Sequence, residues 1–157
     1  MIRVGVLTVS DRCFSGERED RSGPALESAL PKDQYVLTRR AVVPDEVEEI
    51  AGLLRDWLEH CDLILTTGGT GLSPRDVTPE ATMEVVDRLV PGITEALRAD
   101  GLRSTPFSML SRGVAGVAGK TLVVNLPGSP KAVLEGMAVL LPVIPHAIAL
   151  IKGEQVH

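Results

Sequence analysis

Short apolar runs alternate with amphipathic stretches along this chain. Ile2–Val9 (IRVGVLTV) is apolar, rich in β-branched residues and ends at the polar Ser10-Asp11-Arg12, which predicts a buried strand. Residues 11–22 mix charges of both signs around Ser15-Gly16 and predict a mobile loop. Pro24 sits just inside a helix start, followed by Ala25, Leu26, Ala29 and Leu30. Tyr35–Val43 predicts a second strand, nearer an edge because Arg39 and Arg40 interrupt it. In Asp45–Glu59 the residues Val47, Ile50, Leu54 and Trp57/Leu58 recur at spacings of three and four, a core-facing helical stripe. Leu63–Thr67 (LILTT) predicts a third strand. Thr78-Pro79-Glu80 then opens a helix, with Thr78 as cap and Pro79 in the first turn. Pro91-Gly92 breaks that helix, and the helical pattern resumes to about Asp100. A glycine-rich stretch, Arg112–Lys120, leads into the strand Thr121–Asn125. Ser129-Pro130 caps a last helix reaching about Ile151, which Pro142 and Pro145 split in two.

Strands alternating with helices predict an α/β three-layer sandwich: a mostly parallel central sheet with helices on both faces, in a single domain spanning 1–157. Composition narrows the function. With 44% hydrophobic and 24% charged residues the chain has the balance of a folded domain rather than a disordered one. Only 3% are aromatic, too few for base-stacking platforms, and the net charge of −5 comes without a basic block, so no nucleic-acid partner is expected. No apolar run approaches the length of a membrane span, and the opening residues lack the pattern of a signal peptide; the expectation is a cytoplasmic protein that needs no membrane.

In parallel sheets ligands bind beyond the carboxyl ends of the strands. There this chain carries Ser10-Asp11-Arg12, Pro44-Asp45-Glu46, Thr66-Thr67-Gly68-Gly69-Thr70-Gly71 and Asn125-Leu126-Pro127-Gly128-Ser129-Pro130-Lys131. The Gly68–Gly71 run suits an anion, because successive N–H groups can converge with no Cβ in the way; it serves equally as a tight turn. It matches neither the P-loop nor the dinucleotide pattern. Asp45 can cap the helix that follows it, with Glu48 completing a capping box. Asp76 has no such structural role, since Thr78 supplies the cap. Two carboxylates from two loops at one sheet edge provide the hard oxygen ligands that Mg²⁺ takes together with substrate phosphates. Ser129 caps a helix whose N-terminus attracts anions, and Lys131 and Arg75 are candidate phosphate contacts or solvated surface cations. His60, His146 and His157 accompany no loop nucleophile, and Cys13 and Cys61 make neither a disulfide framework nor a zinc site. The residues themselves thus point to a Mg²⁺-dependent, phosphate-handling α/β domain.

The motifs Val4–Arg12 (VGVLTVSDR), Val43-Pro44-Asp45-Glu46, Thr66–Gly71 with Arg75-Asp76-Val77-Thr78-Pro79-Glu80-Ala81, Met109-Leu110-Ser111-Arg112 and Asn125–Lys131 (NLPGSPK) follow one another along nearly the whole chain. In this order the sequence resembles the molybdopterin adenylyltransferase family, which includes bacterial MogA and the G domain of gephyrin. The resemblance implies transfer of AMP from ATP to the terminal phosphate of molybdopterin, with release of pyrophosphate. It implies that Asp45 and Asp76 are the catalytic, Mg²⁺-holding aspartates and that Ser111 helps hold the pterin. Substrate contacts are implied for Ser10, Asp11, Thr67, Gly68, Gly69, Thr70, Gly71, Arg75, Glu80, Pro127, Gly128, Ser129 and Lys131. A homotrimer is implied, as is hand-over of product to a molybdate-inserting MoeA-type enzyme. The alternative is a molybdopterin-binding or scaffold protein of the MoaB type that holds the pterin without adenylylating it.

Overall fold

A computed structural model describes residues 1–156; His157, noted above for its lack of a nucleophile, lies outside them. Strand β1 (Ile2–Val9) pairs in parallel with β2 (Tyr35–Val43) on one side and β3 (Leu63–Thr67) on the other, and β3 pairs in parallel with β6 (Thr121–Leu126). Two strands, β4 (Arg88–Leu89) and β5 (Ala115–Ala118), extend the sheet antiparallel, giving the order β2-β1-β3-β6-β5-β4.

Period-two alternation sends side chains to both faces. Val4, Val6, Leu63, Leu65, Leu122, Val124 and Leu126 meet the helices α2 (Ser22–Ser28), α5 (Pro91–Gly101), α6 (Pro130–Leu140) and α7 (Ile144–Ile151). Leu7, Val9, Ile64 and Val123 meet α3 (Val47–Trp57) and α4 (Thr78–Met83). This is the expected three-layer sandwich. Gly5 shows how tightly the second layer packs: a Cβ there would lie 2.7 Å from the Trp57 ring. β2 is an edge strand, as its arginines foretold.

Several local expectations are corrected. Residues 11–22 are not one loop: α1 (Asp11–Ser15) forms because Ser10 Oγ accepts from the Cys13 N–H at 3.2 Å, and Gly16 ends it at φ +84°. α3 begins at Val47, so Asp45 is not its cap. Thr78 lies inside α4, and its hydroxyl donates to the Gly68 carbonyl at 2.9 Å instead of capping. α4 ends at Met83, well short of Pro91, and the chain turns into β4. The glycine-rich stretch contains β5, whose Gly116 is required because a Cβ would lie 2.8 Å from Val86 and 2.7 Å from the Arg88 carbonyl. The proline split occurs as expected: α6 ends at Leu140, and Pro145 sits in the first turn of α7.

Candidate active site

The four parallel strands end at one edge, which brings their loops together. At β3 the chain turns through Gly68 (φ +98°) and Gly69 (φ +69°), left-handed conformations that favour glycine. A Cβ on Gly68 would collide with the Val9 carbonyl, and one on Gly69 would lie 3.1 Å from Asp45 Oδ1. Two residues on, a Cβ at Gly71 would lie 2.9 Å from Asp76 Oδ2. The two aspartates therefore border the same glycine turn, one at each end.

Asp45 is held by a reciprocal pair of bonds. Its Oδ2 accepts from the Asp11 N–H at 2.8 Å, and its own N–H donates to Asp11 Oδ1 at 2.9 Å. Arg75 locks this pair, donating to both Asp11 oxygens at 3.0 and 2.9 Å and to Glu46 Oε1 at 3.0 Å. Because Arg75 precedes Asp76, one guanidinium ties together the loops after β1, β2 and β3. The Arg75 bonds hold the Asp11 carboxyl below its ordinary range and push Arg75 upward. Burial pushes Asp45 the other way, and the charges of Asp11 and Asp76 add to the rise. A carboxylate so desolvated, facing a second one, is a natural cation ligand.

Arg112 closes the opposite side. Its guanidinium donates to the Gly71 carbonyl at 2.8 Å, the Asp76 carbonyl at 2.7 Å and Glu80 Oε2 at 2.7 Å. Glu80 lies below its ordinary range because of that bond. Beneath the turn, Asn125 donates to the hydroxyls of Thr66 and Thr82, each at 3.0 Å, which satisfies a buried amide.

Two clefts open side by side on this frame. One, of about 690 Å³, is polar and is lined by Ser10, Arg18, Glu19, Arg21, Asp45, Gly68, Gly69, Asp76, Gly128 and Ser129 among others. The other, of about 650 Å³, has Leu72, Leu97, Phe107 and Leu110 in its walls, with Thr70, Gly71, Asp76, Ser111, Pro127 and Ser129. Asp76 and Ser129 belong to both. Ser129 caps α6, accepting from the Ala132 N–H at 3.1 Å. Ser111 Oγ accepts from the Gly113 N–H at 3.3 Å, and Arg98 donates to the carbonyls of Ser111 and Gly113, so the Ser111 turn is held from behind.

Five of the expected contact residues stand outside both clefts. Asp11 and Arg75 form the clasp behind Asp45. Thr67 is buried and donates to the Pro127 carbonyl at 2.6 Å. Glu80 is engaged by Arg112, and Lys131 points to solvent with Glu135 3.9 Å away. Sequence reasoning missed Arg18, Glu19 and Arg21 in the polar cleft. Their segment follows β1, so its place at the carboxyl edge was the available signal. Neither described histidine lines either cleft. Among the described residues no three His, Cys, Asp or Glu side chains gather into a metal cage. Asp45 and Asp76 would offer Mg²⁺ two of the hard oxygen ligands it takes, with phosphate and water supplying the rest.

An open, mostly parallel sheet with two clefts at its carboxyl edge has the form in which α/β domains bind ligands. Residues 5–146 match the family model of the probable molybdopterin binding domain, and the chain belongs to that family. It is 46% identical over 163 residues to gephyrin of Dictyostelium discoideum, covering 96% of this chain and 23% of gephyrin. It therefore spans about a quarter of that relative's length. It is 40% identical over 158 residues to the molybdopterin adenylyltransferase of Helicobacter pylori, covering 97% of this chain and 89% of that protein. The crystal structure of the molybdopterin biosynthesis enzyme MoaB from Thermus thermophilus superposes with a TM-score of 0.92 at 53% identity, covering 98% of each chain. Among the described residues no single helix is long and apolar enough to cross a membrane.

Proposed function

We propose that this chain is a molybdopterin adenylyltransferase, moving AMP from ATP to the terminal phosphate of molybdopterin. The observation that carries this is the pair of clefts that share Asp76 and Ser129. The relative of the same name in Helicobacter pylori, similar over nearly its full length, supports the reading. The apolar cleft, with Ser111, takes the pterin, and the polar cleft takes the nucleotide. A phosphate oxygen of the pterin attacks the α-phosphorus, a new P–O bond forms, and the bond to the bridging oxygen of pyrophosphate breaks. The attacking phosphate is already an anion at neutral pH, so no general base is required, in keeping with clefts that neither described histidine lines. Repulsion between the two anions is the obstacle, and alignment with charge neutralisation lowers it. Asp45 and Asp76 would hold Mg²⁺, which would supply charge neutralisation on the triphosphate. The working assembly is a homotrimer, and the product passes to a MoeA-type molybdate-inserting enzyme; both rest on the family resemblance.

A single-turnover assay with molybdopterin, ATP and Mg²⁺ tests the reading, with Asp76→Ala beside the wild type. Adenylylated pterin and pyrophosphate in the wild type, and neither in the variant, are the expected result. Tight pterin binding without product in folded wild-type protein would overturn it in favour of a binding or scaffold protein.

A further inference from the structure

The charged groups that the clefts leave unexplained lie in residues 17–40. Asp20 is an acidic residue whose side chain is only 15% exposed. Its Oδ2 accepts from the Thr8 hydroxyl of β1 at 2.9 Å and from Arg40 of β2, and its Oδ1 accepts from the Gly23 N–H at 3.0 Å. Arg40 is fully engaged below: Nε donates to Glu27 at 2.6 Å, and Nη1 donates to the Ala41 carbonyl at 2.6 Å. Gly23 has no room for a Cβ, because the Arg40 guanidinium and the Asp20 carboxylate close over it. One carboxylate thus fastens the segment between α1 and α2 to two strands and a helix. Without it, the segment from Glu17 to Arg21 retains two backbone tethers, from the Arg18 N–H to the Arg12 carbonyl at 3.2 Å and, at its far end, from the Ala25 N–H to the Arg21 carbonyl at 3.1 Å.

That segment is a wall of the polar cleft, and it presents Arg18 and Arg21. They are the cationic side chains lining that cleft, which Asp45 and Asp76 also line. Arg18 has no acidic partner among the described ion pairs. Arg21 meets Glu19 at 3.8 Å with both side chains nearly four-fifths exposed, a pairing that holds neither in place. The two cations first expected to meet phosphate do not line that cleft: Arg75 is clasped to Asp11 and Glu46, and Lys131 lies outside it. A triphosphate carries about four negative charges, and one divalent cation leaves roughly half of them unneutralised.

We propose that Asp20 is a positioning residue that anchors the 17–21 segment, and that Arg18 and Arg21, so placed, bind the polyphosphate of the nucleotide. This rests on the assignment of the polar cleft to ATP. The test is calorimetric titration of the full chain with Mg-ATP, Mg-pyrophosphate and adenosine. The proteins are wild type, Arg18→Gln/Arg21→Gln, Asp20→Asn and the triple variant, each checked for folding by circular dichroism. The arginine pair variant should bind ATP and pyrophosphate at least about tenfold more weakly, with adenosine affinity unchanged and a shallower dependence on salt. Asp20→Asn should weaken the same two ligands, and the triple variant should bind no more weakly than the arginine pair variant, because Asp20 acts through those side chains. Additive losses in the triple variant would overturn the positioning role of Asp20. Undiminished ATP binding in Arg18→Gln/Arg21→Gln would overturn the inference while leaving the adenylyltransferase reading in place. A wild type that binds neither ATP nor pyrophosphate would overturn both.

Discussion

Asp62 lies just before β3, at the sheet end opposite the clefts, with its side chain 3% exposed. Burial alone would raise its pKa. Arg3 more than reverses that, donating from its backbone N–H at 2.9 Å and from Nη2 at 3.0 Å, and Lys152 stands 3.2 Å away. The carboxyl is held at about 2, against 3.8 when free. At 1.36 kcal/mol per pH unit, the ion cluster contributes roughly 2 kcal/mol at neutral pH. The sign follows from the lowered value. The contribution is complete above the unfolded pKa of 3.8, about half remains near pH 3, and it is lost as pH falls through about 2. Asp62→Asn keeps the shape and removes the charge. Urea unfolding of wild type and variant at one protein concentration, from pH 7 to pH 2, isolates the difference. The variant should be less stable by about 2 kcal/mol at pH 7, and the gap should close towards pH 2. A gap that stays constant across that range would refute the reasoning, since the loss would then come from packing and not from charge. The cluster also joins α7 to β1, so the variant should expose the last helix to hydrogen exchange early.

Other outcomes follow from the site. Asp76→Ala should lower single-turnover rates by at least about a hundredfold with pterin affinity little changed, measured by quenched-flow and fluorescence titration. Arg75→Gln frees the Asp11–Asp45 pair and should lower turnover by about tenfold while raising the Mg²⁺ concentration needed for half-maximal rate; Arg75→Lys should not rescue it, because one ammonium cannot replace a forked guanidinium. Gly69→Ala places a side chain at φ +69° and crowds Asp45, and should cost roughly 1–2 kcal/mol in urea unfolding together with turnover. Analytical ultracentrifugation should show three times the chain mass, and a monomer at micromolar concentration would refute the trimer.

Apolar β-branched runs made β1, β3 and β6 legible because each is buried on both faces, and α3 was legible by its one core stripe, whereas β2 was read from a less apolar run and is only partly buried at the edge. β4 and β5 were not legible. Ala115-Gly116-Val117-Ala118 has little intrinsic strand preference, and it pairs because β6 offers an open edge and Val86 leaves room only for glycine. Asp45 and Thr78 looked like helix caps from local spacing, since capping is a rule about neighbours in sequence. In the folded chain their groups are taken by other partners: Asp11, 34 residues from Asp45, and Gly68, 10 residues from Thr78 across the glycine turn. For the same reason Arg75 reads as a free cation in sequence and is a clasp in the structure.

Sequence alone determined the class of the fold and placed Asp45 and Asp76 in loops at one edge of the sheet, where both line the same cleft. Those conclusions depend on residue type and on order along the chain. Tertiary structure decided which charges are available. Whether an arginine meets substrate or is already held by a carboxylate depends on groups brought within 3 Å by folding from distant positions. That is why Arg75 is clasped to Asp11 and Glu46 and Lys131 lies outside both clefts, while Arg18 and Arg21 line the polar one.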